Sequence, residues 1–135
     1  MRVAAIIPAY DAERTILGLA AETLERWHGR GQVYVVDDGS SDGTAELARR
    51  AGAVVVSHPS NRGKGVALRT GFARAAADGH GAAVTLDADA QHPPAEAVRL
   101  ADWPHPEALV HRISDRARAG SPRPHPIANV IRNGL

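Results

Sequence analysis

The sequence predicts an α/β fold in which helices cover both faces of a mostly parallel β-sheet. Four short apolar runs alternate with longer segments of helical periodicity. The connections between them are short, and strand–helix alternation with short connections is typical of a parallel sheet. A polar cluster follows each apolar run, at the position where such sheets bind ligands. The predicted architecture is therefore a three-layer sandwich.

Each apolar run is almost continuous, as expected for a strand that is buried on both faces. Pro8 closes the first run, and two adjacent aspartates close the second. The four predicted strands are residues 3–7, 33–36, 54–56 and 82–86.

The first predicted helix covers about residues 12–27, with Asp11 as a candidate N-cap and Gly29 as a stop signal. Its apolar residues recur at helical spacing and should face the sheet. The predicted buried stripe consists of Ile16, Leu17, Ala20, Leu24 and Trp27.

Two further helices are predicted. Residues 40–43 supply turn and cap chemistry, and a short helix follows through Ala51, where Gly52 ends it. A loop over residues 58–65 then leads into a helix that runs to about Ala77.

The pattern weakens after about residue 100. Residues 107–110 could form one more strand and residues 113–119 a short helix, whereas residues 122–135 read as an extended or mobile tail. We therefore divide the chain into residues 1–100 and a shortened, proline- and histidine-rich segment, residues 101–135.

Composition excludes several classes of protein. The 135 residues suit one domain, and a net charge of +1 gives no global field for nucleic acid. Cysteine is absent, which excludes disulfides, thiolate metal sites and a cysteine nucleophile. No apolar run approaches the roughly 18 residues that cross a bilayer, and the N-terminus lacks a signal-peptide layout. We expect a cytoplasmic protein with no nucleic-acid partner.

The polar clusters should meet at one edge of the sheet, because the carboxyl ends of parallel strands lie together. Four separate segments thus converge, and we expect a ligand site there. The clusters are residues 8–11, 37–38, 58–64 and 87–92.

The two carboxylates after the fourth strand are a candidate metal site. Asp87 and Asp89 are two residues apart, so they should point the same way as the strand ends, and Gln91 continues the series. Hard divalent cations prefer such oxygen ligands. The alternative is a polar loop without a ligand, which is the commoner meaning of two nearby acids.

Asp37 and Asp38 end the second strand. Their carboxylates could accept hydrogen bonds from ribose hydroxyls or from the edge of a base. Alternatively, they belong to a tight turn whose side chains cap the next helix. The two interpretations are about equally weighted.

Residues 61–65 place Arg62, Lys64 and two glycines before a helix, where free amides favour anions. This loop could receive a diphosphate, although it lacks the spacing of a P-loop. A solvated basic loop is an equally good interpretation. His58 reads as an ordinary surface or core residue, and His92 stands out only because it adjoins the acidic cluster.

Four stretches together resemble the family 2 glycosyltransferases, and within them the dolichyl- and polyprenyl-phosphate mannosyl- and glucosyltransferases. The stretches are Ile6-Ile7-Pro8-Ala9-Tyr10, residues 35–44 (VVDDGSSDGT), Asn61-Arg62-Gly63-Lys64-Gly65 and Leu86-Asp87-Ala88-Asp89-Ala90-Gln91-His92. The resemblance implies a GT-A-like, Rossmann-type fold, a UDP- or GDP-linked sugar donor, and Mg²⁺ or Mn²⁺.

The resemblance also implies roles for individual residues. The residues that would border the base come from the first stretch, Glu13 would supply an acidic contact, and Asp38 would meet the nucleoside or the loop that holds it. The implied substrate-binding set is Pro8, Ala9, Tyr10, Glu13, Asp37, Asp38, Lys64 and Asp87.

Asp87 and Asp89, helped by Gln91, would hold the metal that bridges the donor diphosphate. A phosphate acceptor is already anionic and needs little activation, whereas a hydroxyl acceptor needs a general base. The candidate catalytic residues are Asp89, through the metal, and Asp115, the one late acid considered as a base.

The expected partners follow from the resemblance. The acceptor would be a polyprenyl phosphate or a glycan, and the domain could sit peripherally at the inner membrane face. The second half of this family's catalytic domain is reduced here to about forty residues, so a homodimer or a membrane-protein partner could complete the site. The alternatives are a non-catalytic nucleotide-sugar-binding module or a truncated or degenerate paralogue, and, less favoured, a receiver-like domain.

Overall fold

The computed structural model describes residues 2–89, 94–102 and 131–132. Its strands form one sheet with the order third, second, first, fourth, fifth, and all neighbours are parallel except the last pair. The strands are β1 (Val3–Ala9), β2 (Val33–Asp37), β3 (Val54–Ser57), β4 (Ala82–Thr85) and β5 (Ile131–Arg132).

Helices lie on both faces of the sheet. Helix α1 packs against α2 and α4 on one face, while α3 packs against β1, β2 and β4 on the other. Among the residues that the structure describes, no helix has both the length and the apolar character needed to cross a bilayer. The helices are α1 (Ile16–Arg26), α2 (Thr44–Ala51), α3 (Lys64–Ala77) and α4 (Pro94–Ala101).

Strand β1 lies in the middle of the sheet and is buried along its whole length. Its alternate residues belong to two different cores, because successive side chains in a strand point to opposite faces. Val3, Ala5 and Ile7 belong to the core under α1, whereas Ala4 and Ile6 belong to the core under α3. The predicted three-layer α/β fold is confirmed.

Helix α1 begins at Ile16, four residues later than predicted. Asp11 does not cap it, because its backbone is in the left-handed region with φ 46° and its carboxylate accepts a hydrogen bond from the Ser41 N–H. Residues 10–15 instead form a loop, and Thr15 occupies the N-cap position.

The buried stripe of α1 also differs from the predicted one. Leu17 is 43% exposed, while Leu19 and Thr23 are buried. The Thr23 hydroxyl donates to the Leu19 carbonyl, which satisfies its polar atom inside the core. Trp27 is buried as predicted, and its Nε1 donates to the Val3 carbonyl at 2.9 Å, tying the end of α1 to β1.

The sequence does not predict α4, although Pro94 at its first position is a recognised start signal. Residues 131–132, predicted as part of an extended or mobile tail, form β5 and pair antiparallel with Ala82 and Ala83. The strand predicted at 107–110 and the helix predicted at 113–119 lie outside the described residues, and the division at residue 100 stays a prediction.

Gly71 in α3 should tolerate no side chain, because a Cβ there would lie 2.6 Å from Ile6 Cγ2 and 3.2 Å from Val36 Cγ2. We expect Gly71→Ala to lower the free energy of unfolding by about 1–3 kcal/mol through overpacking. Urea unfolding measures this change.

Gly18→Ala is the matched control, because Gly18 also lies in a helix but a Cβ there meets nothing within 4 Å. Its higher helix propensity should raise the free energy of unfolding by up to about 1 kcal/mol. If both variants are stabilised, helix α3 does not approach the sheet as closely as described.

Candidate active site

The loops after β1 and β2 are locked together by hydrogen bonds between backbone N–H groups and side-chain oxygens. The N–H of Ala12 donates to Thr44 Oγ1 at 2.8 Å, and the N–H of Asp11 donates to Ser40 Oγ at 2.9 Å. In the other direction, the N–H of Gly43 donates to Glu13 Oε2 at 3.0 Å. The two loops therefore form one polar platform at the carboxyl edge of the sheet.

Asp37 and Asp38 are adjacent in the sequence, but their carboxylates accept hydrogen bonds from different loops. The Asp37 carboxylate is buried and accepts the Ser40 N–H at 3.1 Å, which is turn chemistry. The Asp38 carboxylate points to the loop after β3, where it accepts the Arg62 N–H at 2.9 Å and the Gly63 N–H at 2.8 Å. Asp38 thus holds the basic loop, and contact of either acid with a substrate stays a prediction.

His58 connects Asp38 to helix α3. Its Nδ1 lies 2.8 Å from Asp38 Oδ1, and its Nε2 lies 2.8 Å from Thr70 Oγ1. Burial by itself would raise the pKa of Asp38, but the hydrogen bonds from His58 and the two loop N–H groups outweigh it and lower that pKa. His58 is thus a half-buried residue with a structural role, and no spacing in the sequence signals its two partners.

Lys64 is the first residue of α3, and its ammonium contacts Asp87 Oδ1. Asp87 follows β4, so this ion pair joins the loop after β3 to the loop after β4. The predicted basic and acidic clusters do meet at one edge of the sheet.

Asp89 borders a groove of about 300 Å³ between the platform and the loop after β4. Thr15 lines this groove, and its hydroxyl donates to the Ala88 carbonyl at 2.5 Å and so holds the residue between the two acids. The lining residues are Tyr10, Asp11, Ala12, Glu13, Arg14, Thr15, Asp42, Ala88 and Asp89.

The predicted base-contacting residues differ in exposure. Pro8 and Ala9 are buried inside β1, whereas Tyr10 is 53% exposed at the start of the following loop. Glu13 is also exposed, with one carboxylate oxygen on the Gly43 N–H. Gln91, His92 and Asp115 lie outside the described residues.

The metal-binding potential rests on Asp87 and Asp89. The described part of the chain contains no group of three or more His, Asp or Glu side chains placed to hold a metal ion. Two carboxylates still fit Mg²⁺ or Mn²⁺, since such ions are commonly held by one or two carboxylates, with substrate phosphates and water completing the shell. Binding of a metal ion by Asp87 and Asp89 therefore stays a prediction.

The fold is that of the GT-A glycosyltransferases. The model of glycosyl transferase family 2 matches residues 4–127, and the chain belongs to that family. The resemblance drawn from the four sequence stretches is confirmed, and the receiver-like alternative is wrong.

Curated relatives include polyprenyl-phosphate sugar transferases. An undecaprenyl-phosphate 4-deoxy-4-formamido-L-arabinose transferase from Pectobacterium carotovorum is 36% identical over 110 residues, which are 75% of this chain and 33% of that protein. An uncharacterized protein from Methanocaldococcus jannaschii is 38% identical over 97 residues, covering 70% of this chain and 38% of its own length. The chain thus spans only about a third of these relatives.

Solved structures of GT-A glycosyltransferases share the fold. The mannosyltransferase PcManGT from Pyrobaculum calidifontis, in complex with GDP-Man and Mn²⁺, is 32% identical with a TM-score of 0.60, over 68% of this chain and 28% of that one. Glucosyl-3-phosphoglycerate synthase from Mycobacterium tuberculosis is 29% identical with a TM-score of 0.64, over 75% of this chain and 40% of that one.

Asp38→Asn tests the hydrogen bonds that hold the basic loop. The amide keeps one acceptor and loses the charge, so we expect the free energy of unfolding to fall by about 2–3 kcal/mol near neutral pH. Because the folded pKa of Asp38 is lowered, its stabilisation is full above the unfolded value of about 4 and is lost as pH falls through the folded value.

Urea unfolding of wild type and variant at neutral pH and near pH ~3 measures the effect, and the difference between them should shrink in acid. Glu22→Gln, which removes an exposed carboxylate on α1, is the control and should change little at either pH. A difference that grows in acid would contradict the lowered pKa.

Proposed function

We propose that this chain is the donor-binding part of a glycosyltransferase that moves a sugar from a UDP- or GDP-linked donor to a polyprenyl phosphate or a glycan. The observation that carries the proposal is the contact of Lys64 with Asp87 at the start of α3. It brings the predicted diphosphate loop and the predicted metal carboxylate to the same place.

The start of α3 suits a diphosphate. No side-chain hydrogen bond caps the first-turn amides of this helix, and Gly63 occupies the N-cap position with φ 95°. A Cβ at Gly65 would meet nothing within 4 Å, which leaves open space beside those amides. Free amides at a helix start and a nearby ammonium both stabilise anions.

The donor nucleoside would lie across the platform, against Tyr10 and near Glu13. Asp38 would act indirectly, by fixing the loop that carries Lys64. Asp87 and Asp89 would hold Mg²⁺ or Mn²⁺, with Gln91 assisting, and the ion would neutralise charge on the departing diphosphate. Relatives that are complexed with a nucleotide sugar and Mn²⁺ support this assignment.

The acceptor side is less defined. The undecaprenyl-phosphate transferase among the relatives supports a lipid phosphate, which would place the domain at a membrane surface. An acceptor of this kind needs no strong general base, since its phosphate oxygen is already anionic. Asp115 stays the candidate base for a hydroxyl acceptor, and a homodimer or a membrane-protein partner stays a prediction.

A nucleotide-sugar-binding module without transfer activity is the second candidate. Both candidates require donor binding, so transfer itself separates them.

Asp87→Asn and Asp89→Asn test the metal carboxylates. We expect each to weaken Mn²⁺-dependent binding of GDP or UDP by at least about tenfold, because an amide replaces an anionic ligand. Calorimetric titration with and without Mn²⁺ measures this, with Glu22→Gln as the control. If Mn²⁺ does not change the affinity of the wild type for GDP or UDP, the metal assignment is wrong. If the wild type binds nucleotide but transfers no sugar to polyprenyl phosphate, the binding module is favoured.

Thr15→Val tests the support of the loop between the two acids. The valine keeps the shape but cannot donate to the Ala88 carbonyl, so we expect a several-fold loss of Mn²⁺-dependent nucleotide affinity. Thr15→Ser keeps the donor and should restore most of the affinity in the same titration. Equal losses in both variants would show that the hydroxyl does not position the metal carboxylates.

A further inference from the structure

Lys64 is the single lysine of the chain, since the other basic residues among its 16 are all arginine. It is also the residue that pairs with Asp87, the first carboxylate of the predicted metal site. A lysine differs from an arginine in a way that matters at such a site. Its ammonium is a compact charge on a flexible stem, whereas a guanidinium grips a carboxylate with two parallel hydrogen bonds.

The ion pair of Arg30 with Asp102 differs in geometry from that of Lys64 with Asp87. Arg30 binds Asp102 through two nitrogens, with Nε at 2.8 Å and Nη2 at 2.7 Å from the two carboxylate oxygens. Lys64 meets only Oδ1 of Asp87, and its side chain is 59% exposed, while that of Asp87 is 17% exposed. The lysine head group is therefore the partner with access to solvent, while the carboxylate is largely enclosed by the protein.

The backbone that leads into Lys64 is held in place by hydrogen bonds. The N–H groups of Arg62 and Gly63, the two residues before Lys64, are both held by the buried carboxylate of Asp38. The backbone of Lys64 then continues into the first turn of α3. A fixed backbone with a long exposed side chain allows the ammonium to swing between neighbouring anions without moving the loop.

We propose that Lys64 is a built-in counter-ion that occupies Asp87 until the donor binds, and that it then transfers to the donor diphosphate and leaves Asp87 to the metal. This inference rests on the proposed function. Without nucleotide, a metal ion must compete with the ammonium or lie beside a like charge. With nucleotide, the diphosphate offers the ammonium another partner, and the competition ends.

The proposal predicts that metal binding and nucleotide binding are coupled. The nucleotide should raise the affinity for the metal, and the metal should raise the affinity for the nucleotide by the same factor, because coupling between two sites is reciprocal. Part of this coupling would come from the lysine and not from direct contact between metal and phosphate. Removing the ammonium separates the two contributions.

The test is Mn²⁺ binding to the full chain, measured from the electron paramagnetic resonance signal of free Mn²⁺, with no nucleotide, with UDP and with GDP. Lys64→Met keeps most of the stem and removes the charge, and Lys64→Arg offers Asp87 a two-point partner. Arg69→Gln is the charge control, because Arg69 is an exposed cation further along α3 that takes no part in the site.

We expect Lys64→Met to bind Mn²⁺ at least about fivefold more tightly than wild type without nucleotide, the lower end of ordinary coupling between sites. It should gain less from nucleotide than wild type does. Lys64→Arg should bind Mn²⁺ more weakly than wild type without nucleotide, and Arg69→Gln should match wild type.

If Lys64→Met binds Mn²⁺ without nucleotide no more tightly than wild type does, Lys64 is not a counter-ion of Asp87. The proposed function would still stand in that case, provided that Mn²⁺ binds in the presence of UDP or GDP. An equal rise in Arg69→Gln would reduce the effect to net charge and also overturn the counter-ion role. Absence of Mn²⁺ binding to wild type under all three conditions would overturn both proposals.

Discussion

The buried carboxylate of Asp38 is the interaction on which the site depends. It gathers three hydrogen-bond donors from other parts of the chain, the His58 ring and the N–H groups of Arg62 and Gly63. A buried carboxylate is costly unless it is compensated in this way, so the loop after β3 and the side chain at the end of β2 stabilise each other. These hydrogen bonds therefore fix the position of the start of α3.

The same edge is stiffened by backbone pairing that extends past the strands. The N–H of Asp38 donates to the Ala9 carbonyl, and the N–H of His58 donates to the Asp37 carbonyl, both at 2.8 Å. The acids therefore leave the sheet from an ordered backbone and not from a loose loop. A rigid rim that carries the long, exposed side chain of Lys64 combines a fixed geometry with a mobile charge.

The sequence predicts the parts of this structure that depend on local patterns. The strands follow from apolar runs closed by polar residues, and the end of α2 follows from Gly52, which adopts a left-handed φ of 104°. The meeting of the Lys64 and Asp87 loops follows from parallel topology alone. These features need no knowledge of which side chain touches which.

Two of the missed features depend on contacts between segments distant in sequence. Helix α1 starts late because the N–H of Ala12 is taken by Thr44, which lies 32 positions further along the chain. The role of His58 requires Asp38 and Thr70 to be neighbours, which no spacing reveals. The exposed Leu17 shows that helical periodicity fixes a stripe only to within about one residue.

A chain with one lysine also has an unusual chemical reactivity. Reagents that acylate primary amines, which are the usual means of attaching dyes or coupling proteins to surfaces, have only Lys64 and an N-terminal amine to react with. Acylation removes the positive charge of a lysine and adds bulk to its head group. Labelling this protein through amines would therefore modify the start of helix α3 beside Asp87, whereas the many arginines on its surface would stay untouched.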